Sequence, residues 1–401
     1  MYSKGAMQYR RITGRIDSLS NTTSSREISN FIKGAAIILV MASHFFELYD
    51  PELYQEHLSN YANAFISVFF ILSGYGMFHS FERRFGSGEN LTRVILIFFR
   101  DRFIRVYPVY LLAMVFVRLA FPETFSLHAV GPGKLVAILA GIPFVNSPLW
   151  FITAIFQCYL FAPLIYLVYR KAGARNFIIL NLAAIGVVAL VSEFYLEYLP
   201  YLERLAHYAV PDRYALLYRD IFLGNVLLFS AGMMMPLLIE RYSSRLNRAH
   251  ILYAVAALMA AVLFVDRYDR INYHYLVEEM ELFNFATIYL FCLVAMVTRP
   301  RLPLMMRRAL VFAGGMTLPL YVFHNSFFRL LARLSLLQPR HITSIVVTAM
   351  LLPALVYFCF RVNSLAERLP VFLERAGGRL RRVLAGGPPA AESFASPEDR
   401  A

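Results

Sequence analysis

A chain of 401 residues that is 59% hydrophobic and 16% charged, with mean hydropathy +0.54, is too apolar for an ordinary soluble domain; such domains carry about 45–50% apolar and about 25% charged residues. The net charge of +13 would suit a nucleic-acid partner, but the basic residues are distributed as in a membrane topology rather than along a binding stripe, and no nucleic acid is expected. Cys158, Cys292 and Cys359 all lie inside apolar stretches at no metal-ligand spacing, so they read as small core residues rather than a disulfide framework or a zinc site.

In chain order, residues 1–29 are polar, with Arg10, Arg11, Arg15 and Arg26. They lack the short apolar core and small-residue cleavage site of a signal peptide, so the following apolar run is expected to be a retained first helix. Spans of about 17–25 apolar residues are the unit that crosses a bilayer. Ten are read here: 31–48, 62–81, 104–121, 149–169, 176–193, 219–239, 250–265, 281–298, 309–330 and 342–361. The apolar stretch 134–147 is short and bracketed by Gly131-Pro-Gly133 and Asn146-Ser-Pro148, and is expected to be re-entrant or interfacial.

Charge bias supports that count. With the N-terminus in the cytoplasm, the inside segments hold 29 of the 39 Lys and Arg residues, as cytoplasmic loops should. Counting 134–147 as a span would place Arg170, Lys171 and Arg175 outside and invert every later loop. The expected fold is therefore an all-α polytopic membrane protein of about ten transmembrane helices with both termini cytoplasmic. It comprises a polar cytoplasmic N-terminus (1–29), a transmembrane domain (30–361) and a cytoplasmic tail (362–401), basic and then disordered from about 383. The outer segment near 194–218, with Glu197, Glu203, His207 and Asp212, reads either as an interfacial lid or as a plain connector.

Five stretches carry polar chemistry within this apolar frame. Lys33 opens the first span and His44 follows eleven residues later, about 16 Å along a helix and near mid-bilayer. An ionisable group at that depth is costly and points to a functional site, the alternative being a packed histidine satisfied by a neighbour. In the second span, Ser73-Gly74-Tyr75-Gly76 permits close helix approach. At the cytoplasmic mouth of the third, Arg102-Phe-Ile-Arg105 places two guanidinium groups on one helical face. That arrangement suits phosphate oxygens, or lipid headgroups and topology alone. The fourth opens with Trp150, the one tryptophan, followed by Gln157 and Tyr159. The ninth carries Tyr321-Val-Phe-His324-Asn325 in its outer half, so that two intramembrane histidines, a tyrosine and an amide suggest a polar cavity.

These five blocks, in this order from about 28 to 361, resemble the acyltransferase-3 family of integral-membrane acyltransferases, whose bacterial members modify cell-envelope and secreted glycans. The family's Arg-x10-His appears as Lys33-x10-His44, its Arg-x-x-Arg as Arg102-Phe-Ile-Arg105, and its late Tyr-x-x-His element as Tyr321-Val-Phe-His324. Lysine at 33 keeps the charge but loses the planar fork of arginine. Where many glycan-modifying members carry Glu-Glu-Gln-Phe-Tyr, this chain reads Ile155-Phe156-Gln157-Cys158-Tyr159. Both carboxylates are absent, and with them any acidic partner for His44 from that span.

The resemblance implies an acyl-CoA-dependent O-acyltransferase in a bacterial cytoplasmic (inner) membrane. The acyl group, acetyl by expectation, would pass from cytoplasmic acyl-CoA to a hydroxyl of an envelope or extracellular glycan or a lipid-linked sugar. His44 would be the general base, since imidazole titrates near neutral pH. Lys33, Arg102 and Arg105 would pair with the donor's phosphates. Trp150, Gln157, Tyr159, Tyr321, His324 and Asn325 would line the acceptor cavity. Direct attack is expected rather than an acyl-histidine intermediate, with no metal and no permanently bound cofactor. The alternative is a multi-span transporter or exporter of a small metabolite or glycan precursor, which midplane histidines also fit. A structural partner in an export assembly gives no reason for histidine and arginine motifs at matching depths.

Overall fold

The computed structural model describes residues 25–55, 59–86, 88–121, 149–207, 222–242, 279–298 and 303–384, with isolated positions 253 and 256. All regular secondary structure among these residues is helical. We number the helices α1 (Ser25–Tyr49), α2 (Ser59–Gly86), α3 (Leu91–Ala120), α4 (Trp150–His207), α5 (Phe222–Tyr242), α6 (Glu279–Thr298), α7 (Leu304–Gly315), α8 (Thr317–Arg333) and α9 (Ile342–Leu384), leaving the single turn Pro51–Leu53 unnumbered. Among the described residues four stretches are long and apolar enough to cross a membrane: Ser25–Tyr49, Phe65–Gly86, Leu91–Ala120 and Ile342–Leu369.

Local chemistry sets the ends of these helices. Glu27 lies in the first turn of α1, where a negative charge meets the positive end of the helix dipole. Asn90 caps α3 by accepting from the Thr92 N–H at 3.0 Å, and α3 stops at Phe121, whose successor Pro122 disfavours helical backbone before it. The long α4 is two helices meeting at Gly173, where φ is +78°, a conformation glycine adopts without steric cost. At the end of α8, Ser335 takes the left-handed conformation (φ +59°), and its N–H and that of Leu336 return to the carbonyls of Ala332 and Leu331, closing the helix.

The span expected over 309–330 is made of two helices: α7 ends at Gly315, Met316 departs from helical geometry (φ −106°, ψ 18°), and α8 begins at Thr317. Gly314-Gly315 weakens the helix from one side, and Pro319 removes an amide donor from the other. The Thr317 hydroxyl donates to the Gly314 carbonyl at 2.7 Å and so bridges the break.

Two parallel helix pairs form the centre. Asn30 and Gly34 of α1 cross Leu310 and Gly314 of α7 so closely that a Cβ on Gly34 would lie 1.9 Å from the Leu310 carbonyl oxygen, and one on Gly314 1.8 Å from that of Asn30. Glu27 pairs with Arg307 at the start of this contact, and His44 meets His324 beyond it; both pairs are 280 residues apart in sequence, which makes α1 parallel to α7 and α8. In the second pair, Gly74 of α2 meets the Phe229 carbonyl at 1.9 Å from its would-be Cβ, and Gly232 of α5 meets that of Ile71 at 2.0 Å. Glu82 and Glu240, each eight residues beyond its glycine, remain in electrostatic reach, so α2 and α5 are also parallel. Backbone contact of this kind is how helices associate where no water drives them together.

The far end of α1 is tied down by the loop after α8. Arg340, at φ +55°, donates its N–H to the Tyr49 carbonyl at 2.8 Å, while its guanidinium bonds Asp50 at 2.8 Å and also Glu52. Arg333, the last residue of α8, donates to the Ala120 carbonyl at the end of α3 at 2.7 Å. Of the expected N-terminal segment 1–29 residues 1–24, of the expected disordered stretch 383–401 residues 385–401, all of 134–147 and nearly all of 250–265 lie outside the described residues; of the 194–218 segment, 194–207 continues α4 as helix. α9 runs well past 361, to Leu384.

Candidate active site

Because α1 is unbroken, Lys33 and His44 stand on one rigid rod about 16 Å apart. At the lower position Lys33 lies in the field of Arg105 and Arg102 from α3 and of Arg26 from its own helix. Arg102 stands over a pair of touching rings, its guanidinium 5.8 Å from the centroids of both Phe98 and Tyr159. Its Nε is buried with no hydrogen-bond partner. Asp101, whose charge reaches Arg102, is hydrogen-bonded elsewhere: it accepts from Arg84 at 2.7 Å and from Arg100 at 2.8 and 3.1 Å. Among the described residues none of Lys33, Arg102 and Arg105 is salt-bridged, so like charges are gathered with an unfilled capacity for an anion. Guanidinium and ammonium groups so placed are donors for phosphate oxygens.

At the upper position α1 and α8 bring two imidazoles together. The rings of His44 and His324 lie 5.1 Å apart between centroids, tilted by 42°. They differ in access: the His44 side chain is 24% exposed, whereas His324 is 2% exposed. His324 donates from Nδ1 to the Leu320 carbonyl at 2.9 Å, and its Nε2 is buried without a partner. Tyr321 lies edge-on to His324 at 5.8 Å and packs against Phe151 at 4.7 Å, with Phe69 closing the same aromatic wall. Asn325 accepts on Oδ1 from Arg329 Nε at 3.0 Å, and among the described residues its two amide N–H groups meet no acceptor.

The span that opens at Trp150 offers His44 no carboxylate, since Ile155 and Phe156 stand where many family members carry two glutamates. The structure supplies one from α1 itself: Glu47 Oε2 lies 2.8 Å from His44 Nδ1, one turn along. Arg329 stands 4.0 Å from the other carboxylate oxygen. Both residues escaped the sequence reading, although an i, i+3 spacing from His44 was the available signal for Glu47. Tyr159, grouped from sequence with Tyr321 and His324, instead faces Arg102 at the cationic end. Gln157 has a buried, unpartnered Oε1. Trp150 opens α4, and its side chain lies outside the described set.

A cationic cluster thus stands at one end of the rod and a pair of imidazoles at the other. The chain matches the family model of the acyltransferase-3 domain, described as an acyltransferase domain, over residues 27–362. The chain belongs to that family. Comparison with curated proteins and with solved structures gives no match. The acyltransferase-3 match spans every side chain of both clusters apart from Arg26, from Glu27 and Lys33 on α1 to Arg329 on α8, and runs one residue past Arg361, the end of the five blocks. This is a membrane acyltransferase by family and by its apolar helices.

Proposed function

We propose that this acyltransferase moves an acyl group, acetyl in the first instance, from cytoplasmic acyl-CoA to a hydroxyl of an envelope or extracellular glycan or a lipid-linked sugar. One observation carries the reading: a single unbroken helix holds Lys33 among Arg102 and Arg105 and, about 16 Å along, His44 against His324. The cations pair with the donor's phosphates, and the acyl-pantetheine arm extends toward His44. His44 takes the acceptor hydroxyl's proton as its oxygen attacks the thioester carbonyl. The C–S bond then breaks and the proton leaves with the thiol. Asn325's amide donors and His324 serve the acceptor and the developing oxyanion. No resident cofactor or metal is part of this scheme; acyl-CoA is a substrate.

In the same reading the chain crosses a bacterial inner membrane ten times with both termini in the cytoplasm. The parallel sense of α1 with α7–α8, and of α2 with α5, supports it, since each pair then has an even number of crossings from one partner to the other. Reporter fusions after Arg175 and Arg245 should read cytoplasm and one at Asp212 should not; a cytoplasmic signal at Asp212 would refute the topology.

The activity test is label transfer from radioactive acetyl-CoA to the glycan fraction of inside-out membrane vesicles. Glutamine at 44 keeps a hydrogen-bonding group but cannot accept and release a proton near neutral pH, so H44Q should lose about a hundred- to ten-thousandfold in rate. Near-wild-type transfer by H44Q would sink the assignment. One feature favours a second reading, carriage of a small solute: the span that breaks at Met316, since discontinuous helices build many transport sites. Solute flux that survives in H44Q vesicles without any acyl transfer would establish that reading instead.

A further inference from the structure

The carboxylate that faces His44 can only accept a hydrogen bond, so the 2.8 Å contact between Glu47 Oε2 and His44 Nδ1 requires the hydrogen to sit on Nδ1. In the neutral ring the lone pair is then on Nε2. The second carboxylate oxygen of Glu47 faces Arg329 at 4.0 Å, and Arg329 is itself fixed by its 3.0 Å bond to Asn325. Among the described residues, His324 and Arg329, both on α8, are the other titratable and charged groups seen to face this pair. We propose that Glu47 is the positioning residue of His44: it selects the Nδ1–H tautomer, fixes the ring's orientation on α1, and makes Nε2 the atom that receives the acceptor's proton.

This inference rests on the reading of His44 as the base. In the transfer step the acceptor O–H bond breaks, its electron pair forms the new O–C bond, and the proton goes to His44 Nε2. The C–S bond breaks, and the thiolate takes that proton from Nε2. Glu47 neither gains nor loses a proton. Its charge stabilises the imidazolium that exists between the two transfers, as the aspartate does in a serine-protease triad. The alternative is an incidental i, i+3 pair. The His44 and Glu47 side chains are 24% and 34% exposed, and a pair so open to solvent contributes little to stability. A merely structural Glu47 therefore predicts almost no effect when its charge is removed.

Glu47→Gln separates the two cases. A glutamine amide can accept or donate, so it satisfies either histidine tautomer where the carboxylate satisfies one. The measurement is nitrogen NMR of the full-length chain labelled with ¹⁵N-histidine in lipid nanodiscs at pH 8, with the His44 signals assigned by their absence in H44Q. Wild-type His44 should appear as the Nδ1–H tautomer alone, and E47Q should show a mixture. His324 is an internal reference: its Nδ1 donates to the Leu320 carbonyl, which holds its tautomer in any correctly folded variant. E47Q should also lower acetyl transfer from acetyl-CoA about a hundredfold, without changing the acetyl-CoA concentration needed for half-maximal rate. An unmixed Nδ1–H tautomer in E47Q, or a mixed tautomer with an unchanged rate, overturns the proposal. Wild-type transfer by H44Q would overturn the base reading alone, because the tautomer measurement reports on Glu47 and the ring whether or not the ring takes a proton in turnover.

Discussion

Gly74 and Gly76 stand two residues apart on α2, yet an alanine should have opposite consequences at the two positions. A Cβ at Gly74 would lie 1.9 Å from the Phe229 carbonyl oxygen and 3.0 Å from the Met233 nitrogen, both rigid backbone atoms of α5. Ordinary contact begins near 3.4 Å, so α2 and α5 must separate locally by about 1.5 Å. Overpacking of this kind costs typically about 1–3 kcal/mol, and here no side chain can swing away to relieve it. A Cβ at Gly76 meets nothing within 4 Å, and alanine there gains up to about 1 kcal/mol of helix propensity. Thermal unfolding in nanodiscs should therefore show G74A clearly below wild type and G76A at or slightly above it. The clash also predicts reduced transfer by G74A, since a displacement near 1 Å at a reacting centre can cost about a hundredfold in rate. If G74A matches wild type in stability, or if G76A is as damaging as G74A, the close-packed α2–α5 contact is wrong.

Removing Arg102 takes away one charge-assisted bond to a donor phosphate, about 1.5–3 kcal/mol, so R102A should raise the acetyl-CoA concentration for half-maximal rate roughly ten- to a hundredfold. Folded yield should hold, because R102A also relieves the crowding of like charges around Lys33; an unchanged donor requirement would make Arg102 a topology anchor only. At the loop clamp, the Arg340 guanidinium and the Leu53 N–H hold the Asp50 carboxyl below its ordinary value. A carboxylate depressed in the folded state stabilises fully above its unfolded pKa, about 3.9, and that stabilisation is lost as pH falls through the lower folded value. D50N should thus be less heat-stable than wild type at pH 7, the two converging below about pH 4; a constant difference across that range would refute the clamp's role.

The sequence made α1 legible because depth follows from counting: eleven residues between Lys33 and His44 is a distance along a helix whatever the rest of the chain does. The pairing of Arg102 and Arg105 on one face was legible for the same reason. Apart from Glu47, on the same helix as His44, what remained hidden is what a neighbouring helix decides. Nothing in the sequence tells Gly74 from Gly76, because the difference is the position of the Phe229 carbonyl on α5. The break at Met316 was hidden because Gly314, Gly315 and Pro319 are each tolerated in a membrane helix, and only the near approach of Asn30 to Gly314 shows what the break accommodates. Tyr159 was assigned by its nearness in sequence to Trp150, whereas its neighbour is settled by which face of α4 meets α3.

The two halves of the site are made at very different times. His44 and His324 are 280 residues apart, and at a synthesis rate of about 5–20 residues per second α1 precedes α8 by roughly 15 seconds to a minute. During that interval the first helix has neither the glycine contact of α7 nor the imidazole of α8. Its polar group still has a companion, because Glu47 is three residues away on the same helix and in place once that turn forms. A chain that carried the acid on α4 instead would leave His44 alone until more than a hundred further residues had been made.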